Sequence, residues 1–231
     1  MKTIGLLGGM TWHSTHEYYR LFNELVNKRL GKEHAAKVLI YSFNFQELRN
    51  WQLEDTTFLA EQLALQAKKL ETAGADIILI GANTMHEYYQ QVQNALSIQV
   101  LHIGDAVGRT IKQKKLKKVA LLGTKYTMQG DFYKNKLAEY DIETITPSNE
   151  EQKIINDIIY NELVKGQIIE KSKQAYLKII NKMKESYDIE GVILGCTEIP
   201  LLIKPEDTEL KTFNTTEIHA LSAVNFALDN K

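Results

Sequence analysis

Apolar runs that end in glycine occur in this chain as a matched set. Ile4-Gly5-Leu6-Leu7-Gly8-Gly9 and Val119-Ala120-Leu121-Leu122-Gly123-Thr124 both close on a small, turn-prone cluster. The same holds for Ile77-Ile78-Leu79-Ile80-Gly81-Ala82-Asn83-Thr84 and Val192-Ile193-Leu194-Gly195-Cys196-Thr197. Gly8 lies 115 positions before Gly123, and Ala82 lies 114 before Cys196. Two independent strand ends thus repeat at nearly one offset, which points to a duplicated unit. Short apolar runs alternate with amphipathic stretches, the pattern of parallel sheets covered by helices on both faces. Strands are expected over residues 3–8, 37–42, 76–80, 99–103, 118–123, 143–146 and 191–194. Helices are expected over 14–30, 57–73, 85–96, 105–115, 129–140, 150–164, 168–187 and 216–228. The expected fold class is α/β, with two pseudo-symmetric lobes of parallel sheet and a cleft between them, a usual place for a small-molecule site. The first lobe is expected to hold residues 1–104 plus 211–231, the second residues 105–210.

The chain's 231 residues suffice for a substantial core. Its 28 basic and 29 acidic residues nearly cancel, so bulk charge draws it neither to nucleic acid nor to an anionic membrane. No apolar stretch reaches the ~20 residues of a membrane helix, and the Gly-broken start does not read as a signal peptide. The single cysteine leaves no intramolecular disulfide and suits a reducing cytoplasm. The histidines show no metal-ligand spacing, and neither a GxGxxG after a strand nor a Walker lysine is present.

That cysteine, Cys196, follows a strand-like run, and ligands of open α/β sheets gather at the carboxyl ends of strands. A thiol there can move a proton, because its pKa lies near working pH and responds to its surroundings. The matching residue of the other repeat is Ala82, which cannot. Asn83, Thr84 and Thr197 put small polar side chains and turn amides next to these positions, where a carboxylate could be held. Thr127, in Gly123-Thr124-Lys125-Tyr126-Thr127, has the same character. His86 and His219 read as capping or packing residues.

Taken together, these segments resemble the aspartate/glutamate racemase superfamily, and within it the aspartate racemase branch. The matching stretches run in order along nearly the whole chain. They are Ile4–Met10 with Trp12 and Ser14-Thr15, Glu17-Tyr18-Tyr19-Arg20, Ala82-Asn83-Thr84-Met85-His86, Ala120–Thr124, Tyr126-Thr127-Met128, Gly195-Cys196-Thr197-Glu198-Ile199 and Ile218-His219-Ala220. The resemblance implies Rossmann-like lobes, an inter-lobe active site, a homodimer, and no pyridoxal phosphate, metal or nucleotide. It implies two thiols that serve opposite faces of the substrate α-carbon. Cys196 occupies the second thiol position, and Ala82 stands at the first. Carboxylate-binding roles carry over to Met10, Gln52, Asn83, Thr84 and Thr127, and basic positions fall near Arg49 and Lys165. An Asp of the family pattern is here Asn214. The implied activity is racemisation of aspartate or glutamate. Three alternatives stand beside it: a non-catalytic or impaired binding protein for acidic amino acids, a one-cysteine decarboxylase or isomerase, and an inactive variant in which alanine at position 82 replaces a cysteine.

Overall fold

The computed structural model describes residues 1–229. It divides into two compact units, Met1–Ile103 together with the chain from His219 onward, and Gly104–Ile218.

The first unit contains β1 (Ile4–Gly8), α1 (Trp12–Leu30), β2 (Val38–Ser42), α2 (Phe45–Glu54), α3 (Thr56–Thr72), β3 (Ile77–Ile80), a 3-10 turn at Thr84–Tyr88, α4 (Tyr89–Asn94) and β4 (Gln99–Leu101). Its strands are all parallel, in the order β2-β1-β3-β4. β1 and β3 are buried along their whole length, as parallel strands covered on both faces must be. Alternation sends Ile78 and Ile80 to one face, against Leu59, Leu63 and Ala67 of α3. Ile77 and Leu79 go to the other, against Tyr18, Phe22 and Val26 of α1. Each such buried side chain contributes about 2 kcal/mol.

The second unit contains α5 (Ile103–Gln113), which opens at the unit boundary, then β5 (Lys118–Gly123), α6 (Lys125–Gln129), α7 (Asp131–Ala138), β6 (Glu143–Ile145), α8 (Asn149–Asn161) and a 3-10 turn at Leu163–Lys165. It continues with α9 (Glu170–Tyr187), β7 (Gly191–Gly195), α10 (Ile199–Leu202), a 3-10 turn at Pro205–Asp207 and β8 (Lys211–Asn214). Here the order is β6-β5-β7-β8, again all parallel. The two units therefore share one topology, with β1 and β3 of the first corresponding to β5 and β7 of the second. The last helix, α11 (Thr215–Leu228), begins in the second unit and lays Ala220, Ala223 and Val224 into the core of the first.

Several expectations need correction. Residues 211–218, expected in the first lobe, belong to the second unit, because β8 pairs with β7. Gly104 also falls in the second unit. The helix expected over 85–96 starts as the tight turn Thr84–Tyr88 and becomes α-helical only at Tyr89. The helix expected over 129–140 is two helices split at Gly130. The backbone is extended there, and a Cβ would lie 2.7 Å from the Phe132 ring and 2.8 Å from the Tyr126 carbonyl oxygen. No helix among the described residues is long and apolar enough to cross a membrane.

Candidate active site

The site is best read from two glycines. Leu7 of β1 pairs with Ile80 of β3, and Gly81 N–H then donates to the Leu7 carbonyl at 2.8 Å. A Cβ on Gly81 would stand 2.8 Å from that same carbonyl oxygen. In the second unit Gly123 pairs with Gly195, and a Cβ on Gly195 would stand 2.8 Å from the Leu122 carbonyl oxygen. Both positions demand glycine, because backbone lies where the side chain would be. The next residue is Ala82 in one unit and Cys196 in the other. They hold equivalent positions at the carboxyl end of equivalent strands.

Cys196 is partly buried and faces an acid. Its Sγ donates to Glu198 Oε2 at 2.9 Å, and the Thr197 hydroxyl donates to the same oxygen at 2.5 Å. Glu198 itself is only 4% exposed. Burial pushes the Cys196 thiol well above its ordinary value; the Glu198 charge and hydrogen bond push it further, against a smaller pull from the Glu198 and Thr197 backbone amides. A thiol expected to titrate near working pH is thus held protonated, since a thiolate beside a carboxylate would be a second negative charge in a dry place. Tyr176, buried under the same strand end, is raised too, first by burial and then by Cys196, Glu162 and Glu198. Thr127 is fully buried, with its Oγ1 3.1 Å from Thr124 Oγ1. Its Cγ2 would lie 3.5 Å from a Cβ on Gly195, which sets it next to the Cys196 turn. Lys165 is the exposed end of a 3-10 turn whose Leu163 is buried and which packs against α10, just past Cys196–Glu198. Asn214 uses its Oδ1 to accept the Thr216 and Glu217 amides, so it caps α11.

In the first unit, Ala82 packs against the core cluster to which Met10, Phe43 and Met85 belong. Asn83 is buried, and Thr84 opens the tight turn that follows. Gln52 lies on α2 beside Trp51, and its Nε2 is buried without a hydrogen-bond partner. Gly9 has φ +79°, and the Phe43 backbone presses so close that no side chain fits. That contact carries the chain past Met10 into α1.

Behind Ala82 lies a histidine cluster. His86 Nε2 accepts from the Ile103 amide at 3.1 Å, so Nδ1 carries the proton and donates to the Ala82 carbonyl at 2.9 Å. His219 donates from Nε2 to the Leu101 carbonyl at 2.8 Å, and its Nδ1 accepts from Tyr18 Oη at 2.9 Å. Burial lowers His86 to about 4 and, with the nearby His86, His219 to about 3. Both rings are neutral with both nitrogens engaged, so neither offers a base. Among the described residues no group of three or more His, Cys, Asp or Glu could hold a metal ion.

The structure therefore gathers Cys196, Thr197 and Thr127 at one strand end, and Ala82, Asn83, Thr84 and Met10 at its counterpart. Lys165 stands outside on the surface. Glu198 is the site residue that the sequence reading left without a role. The available signal was an acid inside an otherwise uncharged segment, Gly195-Cys196-Thr197-Glu198-Ile199-Pro200.

Comparison with known proteins identifies the family. Residues 7–223 match the family described as Asp/Glu/Hydantoin racemase. The chain is 27% identical over 227 residues to the broad specificity amino-acid racemase RacX of Bacillus subtilis (strain 168), covering 96% of each chain. A Yersinia pestis structure described as a candidate Asp/Glu racemase superposes with a TM-score of 0.94 at 42% identity, covering 99% of this chain and 100% of that one. An aspartate racemase homologue from Pyrococcus horikoshii OT3 superposes with a TM-score of 0.89 at 38% identity, with the same coverage. The duplicated sheet, the glycine-framed strand ends and this match over most of the chain place the protein in the Asp/Glu/hydantoin racemase family.

Proposed function

We propose that this protein is a cofactor-independent amino-acid racemase acting on aspartate, glutamate or both, with Cys196 as its one thiol acid/base. The observation that carries the reading is the equivalence of Cys196 and Ala82: one strand end presents a proton-bearing group, its counterpart a methyl. Asn83, Thr84, Thr127, Thr197, Met10 and Gln52 are the substrate-binding positions in this reading, with Lys165 as the outlying cation. Donors held at the substrate carboxylate would stabilise the carbanion-like state. Loss of one of two acid/base groups costs on the order of 10²–10⁴-fold in rate. Proton exchange on one enantiomer is therefore expected to outrun net inversion, with water serving the face that Ala82 leaves unserved. A homodimer in the cytoplasm completes the proposal, supported by family membership; sedimentation velocity tests the dimer.

The decisive experiment follows the α-proton of L- and D-aspartate and L- and D-glutamate in D₂O by NMR, with chirality read in parallel, for the wild type and Cys196→Ser. Exchange that vanishes in the variant supports the reading. Binding with no exchange on any of the four would instead make this a binding protein for acidic amino acids. A second reading, one-sided protonation after decarboxylation, is favoured by the protonated state of Cys196; release of CO₂ from a malonate-type acid would establish it.

A further inference from the structure

We propose that His86 is a positioning residue for substrate binding: its ring ties the Ala82–Thr84 turn to the start of α5, and so fixes how Asn83 and Thr84 stand. The inference rests on the racemase reading for the ligand these residues receive, but the tether itself does not.

Two equivalent strand ends are held in different ways. The Cys196 carbonyl accepts from a backbone amide, that of Ile199, at 3.2 Å. The Ala82 carbonyl accepts instead from a side chain, His86 Nδ1, at 2.9 Å. Counted from the strand end, the residue matching His86 is Pro200, which carries no side-chain donor. A trans peptide is planar, and its C=O and N–H point opposite ways. The bond to the Ala82 carbonyl therefore fixes the plane that carries the Asn83 amide. His86 also donates its own backbone N–H to the Asn83 carbonyl at 3.1 Å, which fixes the next plane, the one that carries the Thr84 amide. One residue thus sets both peptides on which the Asn83 and Thr84 side chains stand.

The far side of the ring is anchored as well. Nε2 accepts from the Ile103 amide at 3.1 Å. That amide opens α5, where backbone donors lack intrahelical acceptors. The chain leaves the first unit directly after it. The ring is buried and has no room to swivel. The His102 ring meets it edge-on, with centroids 4.8 Å apart. His219, the residue at which the chain re-enters the unit, lies on it at 5.6 Å. The two hydrogen bonds run in opposite senses, one nitrogen donating and the other accepting. Only a neutral imidazole offers that pair on a rigid frame. An apolar ring would fill the same space and leave both backbone groups without this partner.

The two bonds can be separated by substitution in the full chain. His86→Gln puts a carbonyl oxygen near the Nε2 position, so it keeps the Ile103 bond and loses the Ala82 bond. His86→Asn puts an amide nitrogen near the Nδ1 position, so it keeps the Ala82 bond and loses the other. Two quantities are measured, with circular dichroism to check folding. The first is kcat and KM for α-proton exchange in D₂O on aspartate or glutamate, whichever the wild type turns over faster. The second is amide hydrogen exchange of Asn83 and Thr84 in the ligand-free protein, by NMR. His86→Gln should raise KM about tenfold with kcat nearly unchanged, because binding alone is lost. It should also speed exchange of the two amides about tenfold, and His86→Asn should recover most of both effects. An unchanged KM in His86→Gln, or equal effects of the two variants, overturns the proposal. If the wild type exchanges no amino-acid α-proton, the racemase reading falls and amide exchange alone decides. Faster exchange in His86→Gln than in His86→Asn then supports the tether, and equal rates overturn it. If neither variant folds, long-range proton–nitrogen NMR of the wild type at neutral pH decides. A neutral His86 protonated at Nδ1 supports the proposal; an Nε2-protonated ring or an imidazolium overturns it.

Discussion

Acid should loosen the first unit, and the two buried histidines set the size of the effect. An ordinary histidine titrates near 6.5; His86 is lowered to about 4 and His219 to about 3. At ~1.4 kcal/mol per unit, the neutral rings contribute about 3 and about 5 kcal/mol of stability that protonation removes. Between pH 6.5 and 4 the unfolded chain binds two protons that the folded chain refuses. Stability is then fully present above about 6.5 and falls with pH, at up to ~2.7 kcal/mol per unit. From pH 7.5 to 5 the loss should reach about 4 kcal/mol, a large part of what holds a typical domain folded. Both tryptophans, Trp12 and Trp51, lie in the first unit, so their fluorescence during urea unfolding reports on that unit. The His219→Gln variant keeps an amide donor for the Leu101 carbonyl but cannot titrate, and it should halve the pH slope. A flat stability between pH 7.5 and 5, or an unchanged slope in His219→Gln, would refute the argument.

Two further outcomes follow from the glycine-framed strand ends. Ala82→Cys supplies the missing thiol, and the residue two positions on is Thr84 where Cys196 has Glu198, so the new thiol lacks an acidic neighbour and should ionise more readily. Racemisation measured by circular dichroism should rise about 100-fold; no rise would mean position 82 does not face the α-carbon. Gly195→Ala forces a methyl to 2.8 Å from the Leu122 carbonyl oxygen. It should cost about 1–3 kcal/mol in urea unfolding and slow alkylation of Cys196, whereas a neutral substitution would show that the strand end can yield.

The duplicated framework was legible because buried parallel strands write themselves as unbroken apolar runs, and the glycine ends marked their register. Elements with little to bury were invisible. In β8 only Phe213 is buried, so no alternation flags the strand. α2 buries only Leu48, and its limits are set by side chains: Asn44 caps its start, and Asp55 ends it while capping α3. The helix expected over 150–164 breaks at Glu162, whose backbone leaves the helical region before the 3-10 turn. In the site, Cys196 and Ala82 were found by alignment of the repeats. The protonated state of the thiol was not, because it depends on which way Glu198 turns. An acid two residues from a cysteine faces solvent as readily as the core, and only packing decides.

The path of the chain has a consequence for synthesis. The first unit is interrupted: its sheet is complete by Leu101, but Ala220, Ala223, Val224 and Ala227 of α11 enter its core only after the second unit has been made. The Tyr18–His219 and His219–Leu101 hydrogen bonds wait equally long. On the ribosome the second unit can close as soon as β8 emerges, while the earlier-made unit must hold one face of its sheet incompletely covered. The half translated first is thus the half finished last, and during that interval the apolar face made by Ile4, Leu6, Ile77 and Leu79 is only partly shielded, by α1.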